Sequence, residues 1–335
     1  MGRKGRRLVW TAAAAAAAAV VCAVVVIVAG WRDRPGLDEL PWSIVETLPD
    51  DPGEVSVTWL GITSLLFDDG DTQILVDGTF TRLSPIDIAL ARPVRSDLAR
   101  INYVMDEYRI DRLAAIVPVH AHFDHAMDVG RVANRSTALV VGTESIANIA
   151  RGADVPVNQF QILRSGEKRV FGNFTITILE SRHVPWGPGD EGWPAGIIEE
   201  PLQQPARFWS WRAGMAVSIL LSHPSGTSLI QGSAGFLEGM LDRRPADVVF
   251  LSVAGLAGQG RDYARQYWDA TVTATGASEV IAMHFDDPTR PFGQVALLPK
   301  LVDDVVTTAG WINEFAEENG VDVHRAPFGR PVKLY

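Results

Sequence analysis

Short apolar segments dominate the chain after residue 54. Residues 55–60 alternate between apolar and polar side chains, and apolar runs follow at 64–67 and 73–76. This pattern is typical of a β-meander. Residues 96–109 instead place apolar side chains at helical spacing. The fully apolar run at 114–119 predicts a buried strand that leads directly into a cluster of histidines.

The chain after residue 137 continues with strands and two long helices. Strands are predicted at 138–141, 170–180, 215–221, 227–231, 247–253, 279–283 and 321–325. Helices are predicted near 261–275 and over roughly 295–319. Strands lead in each half without strict alternation with helices. This order favours an α/β fold of two stacked sheets with helices outside over a doubly wound parallel sheet.

The first 30 residues differ in composition from the rest. Four basic side chains precede residues 8–30, which carry no charge and include eight consecutive alanines. As a helix, this segment would span about 35 Å, enough to cross a membrane. We expect a transmembrane anchor, with residues 1–7 as a basic cytoplasmic head and the body outside the cytoplasm. The alternative is a cleaved signal peptide and a secreted protein.

Charge and cysteine content restrict the chemistry of the body. Residues 31–53 contain four prolines and predict an extended tether, which leaves 54–335 as the globular domain. Beyond residue 30 there are 26 basic against 40 acidic side chains, a balance of −14 that makes a nucleic-acid partner unfavourable. The one cysteine, Cys22, lies in the apolar segment. Any metal must therefore be held by histidine and carboxylate side chains.

Four strong metal ligands fall within six residues at the end of the predicted strand 114–119: His120, His122, Asp124 and His125. Alternate side chains of a strand share a face, so the first two histidines can point the same way. The chain then turns and presents Asp124 and His125 to a neighbouring position. Imidazole and carboxylate together suit zinc, iron or manganese better than calcium or magnesium. Solvated loop residues or core histidines are a poor explanation of this spacing.

The same residues carry a family resemblance. His-Ala-His-Phe-Asp-His at 120–125 resembles the signature of hydrolases with the metallo-β-lactamase fold, and Ile-Leu-Val-Asp at 74–77 resembles the strand-end aspartate that precedes it. Residues 57–67 and 76–85 are similar to a narrower branch with ascorbate-phosphate lactonases and N-acylphosphatidylethanolamine phospholipase D enzymes. The resemblance covers 54 to about 335. It implies a four-layer αββα sandwich, here preceded by the N-terminal transmembrane helix.

The resemblance also implies two more ligands and one departure. His183 and His284 each follow a predicted strand and fill the remaining histidine positions. The implied metal ligands are then His120, His122, Asp124, His125, His183 and His284. Ser233 stands where the family has an aspartate that bridges two metals, so we expect a weaker second site. Asp77 is expected to support the site, and Asp286 and Asp287 to orient the loop after His284.

This ligand set predicts a metal-dependent hydrolase that acts on an ester, lactone, amide or phosphodiester. A metal held by neutral histidines lowers the pKa of bound water and so supplies hydroxide, and Asp124 would orient the nucleophile and transfer its proton. Zn²⁺ is the expected metal, as one or two ions, with Mn²⁺ or Fe²⁺ as alternatives. The alternative function is a metal-poor, catalytically degenerate envelope binding protein, which only Ser233 supports. Diiron oxidoreductase relatives place a glutamate near Phe123, and none is present here.

The segment between His183 and Met215 is rich in aromatic side chains and prolines. It predicts a lid or an apolar substrate channel, with Trp186, Trp193, Trp209 and Trp211 as the candidate lid residues. An aromatic flap packed on the core is the alternative. The expected partner is a small-molecule or lipid-like substrate, together with the membrane through the N-terminal helix.

Overall fold

The computed structural model describes residues 10, 22, 30, 32–46, 48, 53–189 and 191–335. The predicted transmembrane segment, 8–30, therefore lies outside the described residues except at three single positions. Within the described ranges, no helix combines the length and the apolar character needed to cross a bilayer.

The described strands form two sheets. In chain order they are β1 (Ser43–Ile44), β2 (Ser56–Trp59), β3 (Leu65–Asp68), β4 (Gln73–Val76), β5 (Leu113–Val117), β6 (Leu139–Gly142), β7 (Phe160–Ile162), β8 (Lys168–Phe171), β9 (Phe174–Glu180), β10 (Val217–His223), β11 (Gly226–Gln231), β12 (Val248–Ser252), β13 (Glu279–Met283), β14 (Asp322–Arg325) and β15 (Pro331–Lys333). The N-terminal sheet has the order β15-β2-β3-β4-β5-β6-β7. The C-terminal sheet has the order β1-β14-β13-β12-β11-β10-β9-β8.

The described residues form eight α-helices, most of which cover the outer faces of the two sheets. They are α1 (Pro85–Ala89), α2 (Leu98–Glu107), α3 (Phe123–Ala126), α4 (Val129–Arg135), α5 (Glu144–Gly152), α6 (Leu256–Gln259), α7 (Arg261–Trp268) and α8 (Val305–Asn319). One apolar core lies between the N-terminal sheet and α2, α4 and α5. A second core fills the space between the sheets and continues beneath α7 and α8. The predicted four-layer αββα sandwich is therefore present.

Parallel pairing brings several strand ends to one edge of the sandwich. In the N-terminal sheet, Val76 at the end of β4 pairs with Val117 at the end of β5. In the C-terminal sheet, β11, β12 and β13 are parallel neighbours, and Ser252 pairs with Met283. The loops that follow these strands therefore lie together, and they carry most of the predicted site residues.

The predicted tether at 31–53 is corrected over residues 32–46, which pack on the body. Leu40 and Trp42 are buried in the core, and β1 adds to the edge of the C-terminal sheet beside β14. Arg34 forms a salt bridge of 2.6 Å with Asp287 and donates a hydrogen bond of 2.9 Å to Leu297 O. Apolar side chains between the prolines thus fold this segment onto the domain.

Two other predicted elements have different bounds. The strand predicted at 170–180 is a hairpin of β8 and β9, because Gly172 turns the chain at φ 54°. The helix predicted from 295 begins only at Val305, after Asp304 accepts a hydrogen bond of 3.2 Å from Thr307 N. Residues 285–304 are therefore a loop, and this loop borders the site described next.

Candidate metal centre

The histidine cluster lies where β5 gives way to a helix. His120 follows the strand after a short loop, and His122 is the N-cap of α3. The first residues of that helix then carry Asp124 and His125. This change from extended to helical backbone presents the four side chains in two directions.

The six predicted ligands come together as two groups of three. In each group, one ligand atom of every side chain lies within 4.8 Å of the other two. The first group is His120, His122 and His183, and the second group is Asp124, His125 and His284. His183 therefore lies with His120 and His122 as expected.

The distances between ring nitrogens fit a metal ion. His120 Nε2 and His122 Nδ1 are 3.1 Å apart in the first group, and the Nε2 atoms of His125 and His284 are 3.3 Å apart in the second. Two nitrogens bound at about 2.0–2.1 Å to one tetrahedral ion are separated by about 3.3 Å. A divalent cation suits these paired nitrogens.

Hydrogen bonds on the opposite side of the ring orient two histidines of the first group. His183 Nδ1 lies 2.6 Å from Val184 O, and His122 Nε2 lies 3.2 Å from Pro194 O. Because a carbonyl oxygen only accepts, each of these nitrogens donates and the other keeps its lone pair. The same arrangement of an acceptor behind each histidine is common around protein-bound metals.

Asp77 supports the second group from the end of β4. Its Oδ2 accepts hydrogen bonds from His125 Nδ1 at 2.8 Å and from Thr63 Oγ1, and its Oδ1 accepts one from Val119 N at 2.8 Å. Asp77 and His284 have positive φ angles of 56° and 58°. A left-handed backbone costs a non-glycine residue about 1–2 kcal/mol, so the surrounding contacts hold both strand ends in a strained conformation.

Burial keeps the first group uncharged. It lowers the pKa of His122 to about 4 and the pKa of His183 to about 3, and neighbouring histidines contribute to the decrease for His183. The pKa of His120 is also well below its usual value, through burial and the adjacent His125. These rings are therefore neutral at pH 7, the state in which histidine binds a metal.

The second group combines a carboxylate with two imidazoles. Asp124 Oδ2 is 3.5 Å from Nε2 of His125 and 3.5 Å from Nε2 of His284. Burial opposes ionisation of Asp124, but His125 and His284 lower its pKa far below the usual range. Burial also opposes charge on His125, yet Asp124 and Asp77 raise its pKa. Asp124 is therefore ionised, and its charge favours a cation at this position.

The two groups form the floor of a cavity of about 330 Å³ with mostly apolar walls. The walls include Ile88, Phe123, Trp186, Trp193, Phe208 and Leu298. A cavity of this character excludes water from bonds that react at its floor and strengthens electrostatic interactions there.

Only part of the predicted lid borders this cavity. Trp186 and Trp193 line it, whereas Trp211 is 0% exposed within the core beneath the outer helices. Trp209 packs beside Phe208, with ring centroids 5.1 Å apart, and is not among the cavity-lining residues. The lid role is therefore corrected for Trp211, which is fully buried, and stays a prediction for Trp209. Hydrogen bonds from Ala121 N to Ala213 O, at 2.9 Å, and from Val94 N to Ala206 O, at 2.8 Å, hold their segment on the body as a packed flap.

Ser233 lies at the cavity, in the loop after β11. Its Oγ accepts a hydrogen bond of 3.0 Å from Val184 N, so this hydroxyl positions the chain next to His183. Ser233 belongs to neither ligand group, which contain only histidine and aspartate side chains. The consequence for a second metal remains a prediction.

The loop after His284 is held by the two aspartates expected to orient it. Asp286 accepts hydrogen bonds from Ile62 N at 2.9 and 3.1 Å, and His284 N donates to Ile62 O at 3.1 Å. Asp287 forms the salt bridge with Arg34. The N-terminal segment therefore contributes to the position of His284.

The sequence did not reveal Asp303 and Ser252, two polar residues that also line the cavity. Asp303 is 4% exposed, and burial raises the pKa of its carboxyl to about 6, with a smaller contribution from Asp304. Asp303 fell within the helix predicted from 295, which hid its position in a loop. The N-cap signal of Asp304 and the proline at 299 could have revealed the later start of the helix.

Comparison with known proteins supports the fold. No protein-family model matches the chain. A curated protein from Xanthobacter autotrophicus, described as a UPF0173 metal-dependent hydrolase, is 25% identical over 171 residues, 48% of this chain. The chain spans about three fifths of the length of that relative, 61%.

Solved structures of low sequence identity are also similar to this chain. CmlA, a diiron β-hydroxylase from Streptomyces venezuelae, has a TM-score of 0.52 and 12% identity, with 85% of this chain and 55% of CmlA covered. YhfI from Bacillus subtilis, described as a metallo-β-lactamase fold protein, has a TM-score of 0.48 and 15% identity, with 84% of this chain and 98% of YhfI covered. The chain has an α/β fold of the metallo-β-lactamase type, with a site that could bind metal.

Proposed function

We propose that this protein is a metal-dependent hydrolase whose reaction takes place at the floor of the apolar cavity. The observation that carries the proposal is the meeting of two three-residue ligand groups at that floor. The description of the Xanthobacter relative as a metal-dependent hydrolase supports the same reaction class. Zn²⁺ is the proposed metal, with Mn²⁺ and Fe²⁺ as alternatives, because histidine and aspartate ligands suit all three.

The protein side of the mechanism follows from the site. A bound divalent ion would acidify a water molecule and polarise the bond to be cleaved. His120, His122 and His183 are neutral and would hold the ion of the first group. Asp124 is ionised and is placed to orient the attacking water, accept its proton and pass it to the leaving group. The cavity walls bind the apolar part of the substrate and exclude bulk water.

The cavity favours a small or lipid-like substrate with an apolar body. The similarity of the chain's opening to ascorbate-phosphate lactonases and N-acylphosphatidylethanolamine phospholipase D enzymes supports lactones and phosphodiesters among the candidates. We also propose that residues 8–30 anchor the protein in a membrane, with the catalytic domain outside the cytoplasm. The acidic body argues against nucleic acid as a substrate.

The proposal is tested with the full chain, purified in detergent, stripped of metal and reloaded with Zn²⁺, Mn²⁺ or Fe²⁺. Each form is assayed with matched esters, lactones, amides and phosphodiesters of increasing chain length. We expect metal-dependent hydrolysis that His122→Ala abolishes. The matched control is His223→Ala, since His223 packs against Phe174 and lies outside both ligand groups.

Two outcomes would contradict the proposal. Hydrolysis that is unchanged in His122→Ala would place the reaction elsewhere. Tight binding of an apolar ligand without metal and without turnover would instead favour the degenerate binding protein, for which the absence of a carboxylate at Ser233 is the supporting observation.

A further inference from the structure

Asp303 is a buried carboxylate with an incomplete set of hydrogen bonds. It lies in the loop before α8 and lines the cavity. Its Oδ2 accepts a hydrogen bond of 2.8 Å from Gly255 N. Its Oδ1 is buried and has no hydrogen-bond partner in the described part of the chain. A buried oxygen in this state is costly and is rare in proteins.

The neighbouring aspartate performs the structural task expected at this position. Asp304 caps α8 through hydrogen bonds from Thr307 N at 3.2 Å and Thr307 Oγ1 at 2.9 Å. Asp303 is therefore not needed to begin the helix. One oxygen atom would suffice to hold Gly255, and an asparagine at 303 would provide it without placing a charge in the cavity.

A second polar group without a partner belongs to another residue that lines the cavity. Ser252, at the end of β12, lines the cavity, and its Oγ is buried without a hydrogen-bond partner among the described residues. The cavity wall also includes the apolar side chains of Leu298 and Val302. Asp303 belongs to neither ligand group, so metal binding does not account for its unpaired oxygen.

We propose that Asp303 Oδ1 and Ser252 Oγ form a polar subsite that binds an amine or hydroxyl group of the substrate, separate from the bond that is cleaved. This inference rests on the proposed function and narrows its substrate class. The substrate has an apolar body that fills the cavity and a hydrogen-bond donor that completes the bonding of Asp303. Recognition of such a donor is selective, because a ligand without one leaves the buried carboxylate unpaired.

The test uses two series of hydroxamic acids, whose head group chelates zinc. One series ends in a methyl group and the other in a primary amine, with four to eight carbons in each. Dissociation constants are measured with the zinc-loaded full chain, with Asp303→Asn, and with the control Asp304→Asn. The control variant keeps its helix cap because asparagine caps helices as well as aspartate.

We expect the amine to bind at least about tenfold more tightly than the methyl analogue at one or two chain lengths. Asp303→Asn should reduce this preference to less than about twofold, and Asp304→Asn should retain it. Equal affinity of the two series for the wild type at every length would overturn the proposal. So would a preference that persists in Asp303→Asn.

Thermal unfolding of the metal-free variants distinguishes a role of Asp303 in ligand binding from a structural role. A structural role would lower the unfolding temperature of Asp303→Asn, whereas a role in ligand binding would not. A residue kept for ligand binding should not be needed for stability, so Asp303→Asn should unfold at the same or a higher temperature than the wild type. A decrease of more than about 4 °C would mean that the carboxylate is structural and would overturn the proposal. If neither series binds the zinc-loaded wild type, the proposed metal site fails. The comparison of unfolding temperatures then still shows whether the carboxylate of Asp303 is structural.

Discussion

The variant Asp77→Asn tests whether the hydrogen bond between His125 and Asp77 positions the second ligand group. Asp77 Oδ2 accepts the Nδ1 proton of His125 at 2.8 Å, which leaves His125 Nε2 free to face His284 and Asp124. An asparagine can place its NH₂ group against Nδ1. The ring would then accept at Nδ1 and carry its proton on Nε2, the atom that points toward the metal position.

The structure indicates how much metal affinity Asp77→Asn should lose and at which of the two ligand groups. The Asp77 side chain is 0% exposed and that of His125 is 1% exposed, so solvent does not weaken their hydrogen bond. Loss of such a supporting bond reduces metal affinity about 10–100-fold, or about 1.4–2.8 kcal/mol. The first group should keep its affinity, because the asparagine oxygen can still accept the hydrogen bond from Val119 N.

The assay is a titration of the metal-free full chain with Zn²⁺ in competition with a chromophoric chelator, fitted with two sites. Asp128→Asn is the matched control. Asp128 is equally buried and accepts hydrogen bonds from Phe80 N and Thr81 N, at 2.8 and 2.7 Å, outside both ligand groups. The reasoning is refuted if Asp77→Asn leaves the zinc affinities of both sites unchanged. It is also refuted if Asp77→Asn lowers the two affinities by no more than Asp128→Asn does.

Three further predictions concern pH, charge and the N-terminal segment. In the metal-free protein, unfolding exposes His122 and His183 to protonation below pH 6.5, whereas their folded pKa values are about 4 and about 3. Stability should therefore fall as pH decreases from 6.5 toward 4, by up to about 1.4 kcal/mol per pH unit for each ring, and His122→Gln should flatten this slope in urea unfolding. Ser233→Asp should raise the zinc content of the second site in elemental analysis, because a carboxylate offsets repulsion between two cations. Arg34→Met should lower the free energy of unfolding by about 3 kcal/mol, because it leaves Asp287 buried without its salt bridge.

Each of these has a clear contrary result. Equal pH slopes for wild type and His122→Gln would mean that this ring does not control acid stability. Two equivalents of zinc bound with equal affinity by the wild type and by Ser233→Asp would mean that Ser233 is not at the bridging position. Arg290→Met is the control for Arg34, since Arg290 Nε is 3.9 Å from Asp287 and its side chain is 42% exposed. Equal losses in the two variants would show that the Arg34 salt bridge has no special weight.

Local patterns in the sequence were enough for the parts of the site that depend on one strand and the turn after it. The spacing at 120–125 and the strand ends before His183 and His284 are such patterns, and the structure brings all six side chains together. The layered arrangement also followed from the order of apolar segments, because a sheet must bury its apolar faces.

Features that depend on distant partners could not be predicted in this way. Asp303 meets Gly255 across 48 positions of the chain, and no local pattern records that contact. Arg34 and Asp287 are 253 positions apart, so the proline-rich segment had the composition of a tether while its charged and apolar side chains had partners elsewhere. Trp211 illustrates the same difficulty, because the sequence alone does not distinguish a tryptophan in a lid from a tryptophan in the core.

The attachment of residues 32–46 determines how far the domain could move from an anchor. Gly30 lies against the loop at the cavity, where a Cβ placed on it would be 3.3 Å from Leu301 Cδ2. Three residues lie between Gly30 and Arg34, and the four residue steps from one to the other reach at most about 14 Å. If residues 8–30 cross a membrane, the domain cannot move far from the anchor. The cavity then stays close to the bilayer surface in a nearly constant orientation. A lipid-like substrate would then arrive mainly by lateral diffusion in two dimensions, and the concentration that matters for it would be its mole fraction in the membrane.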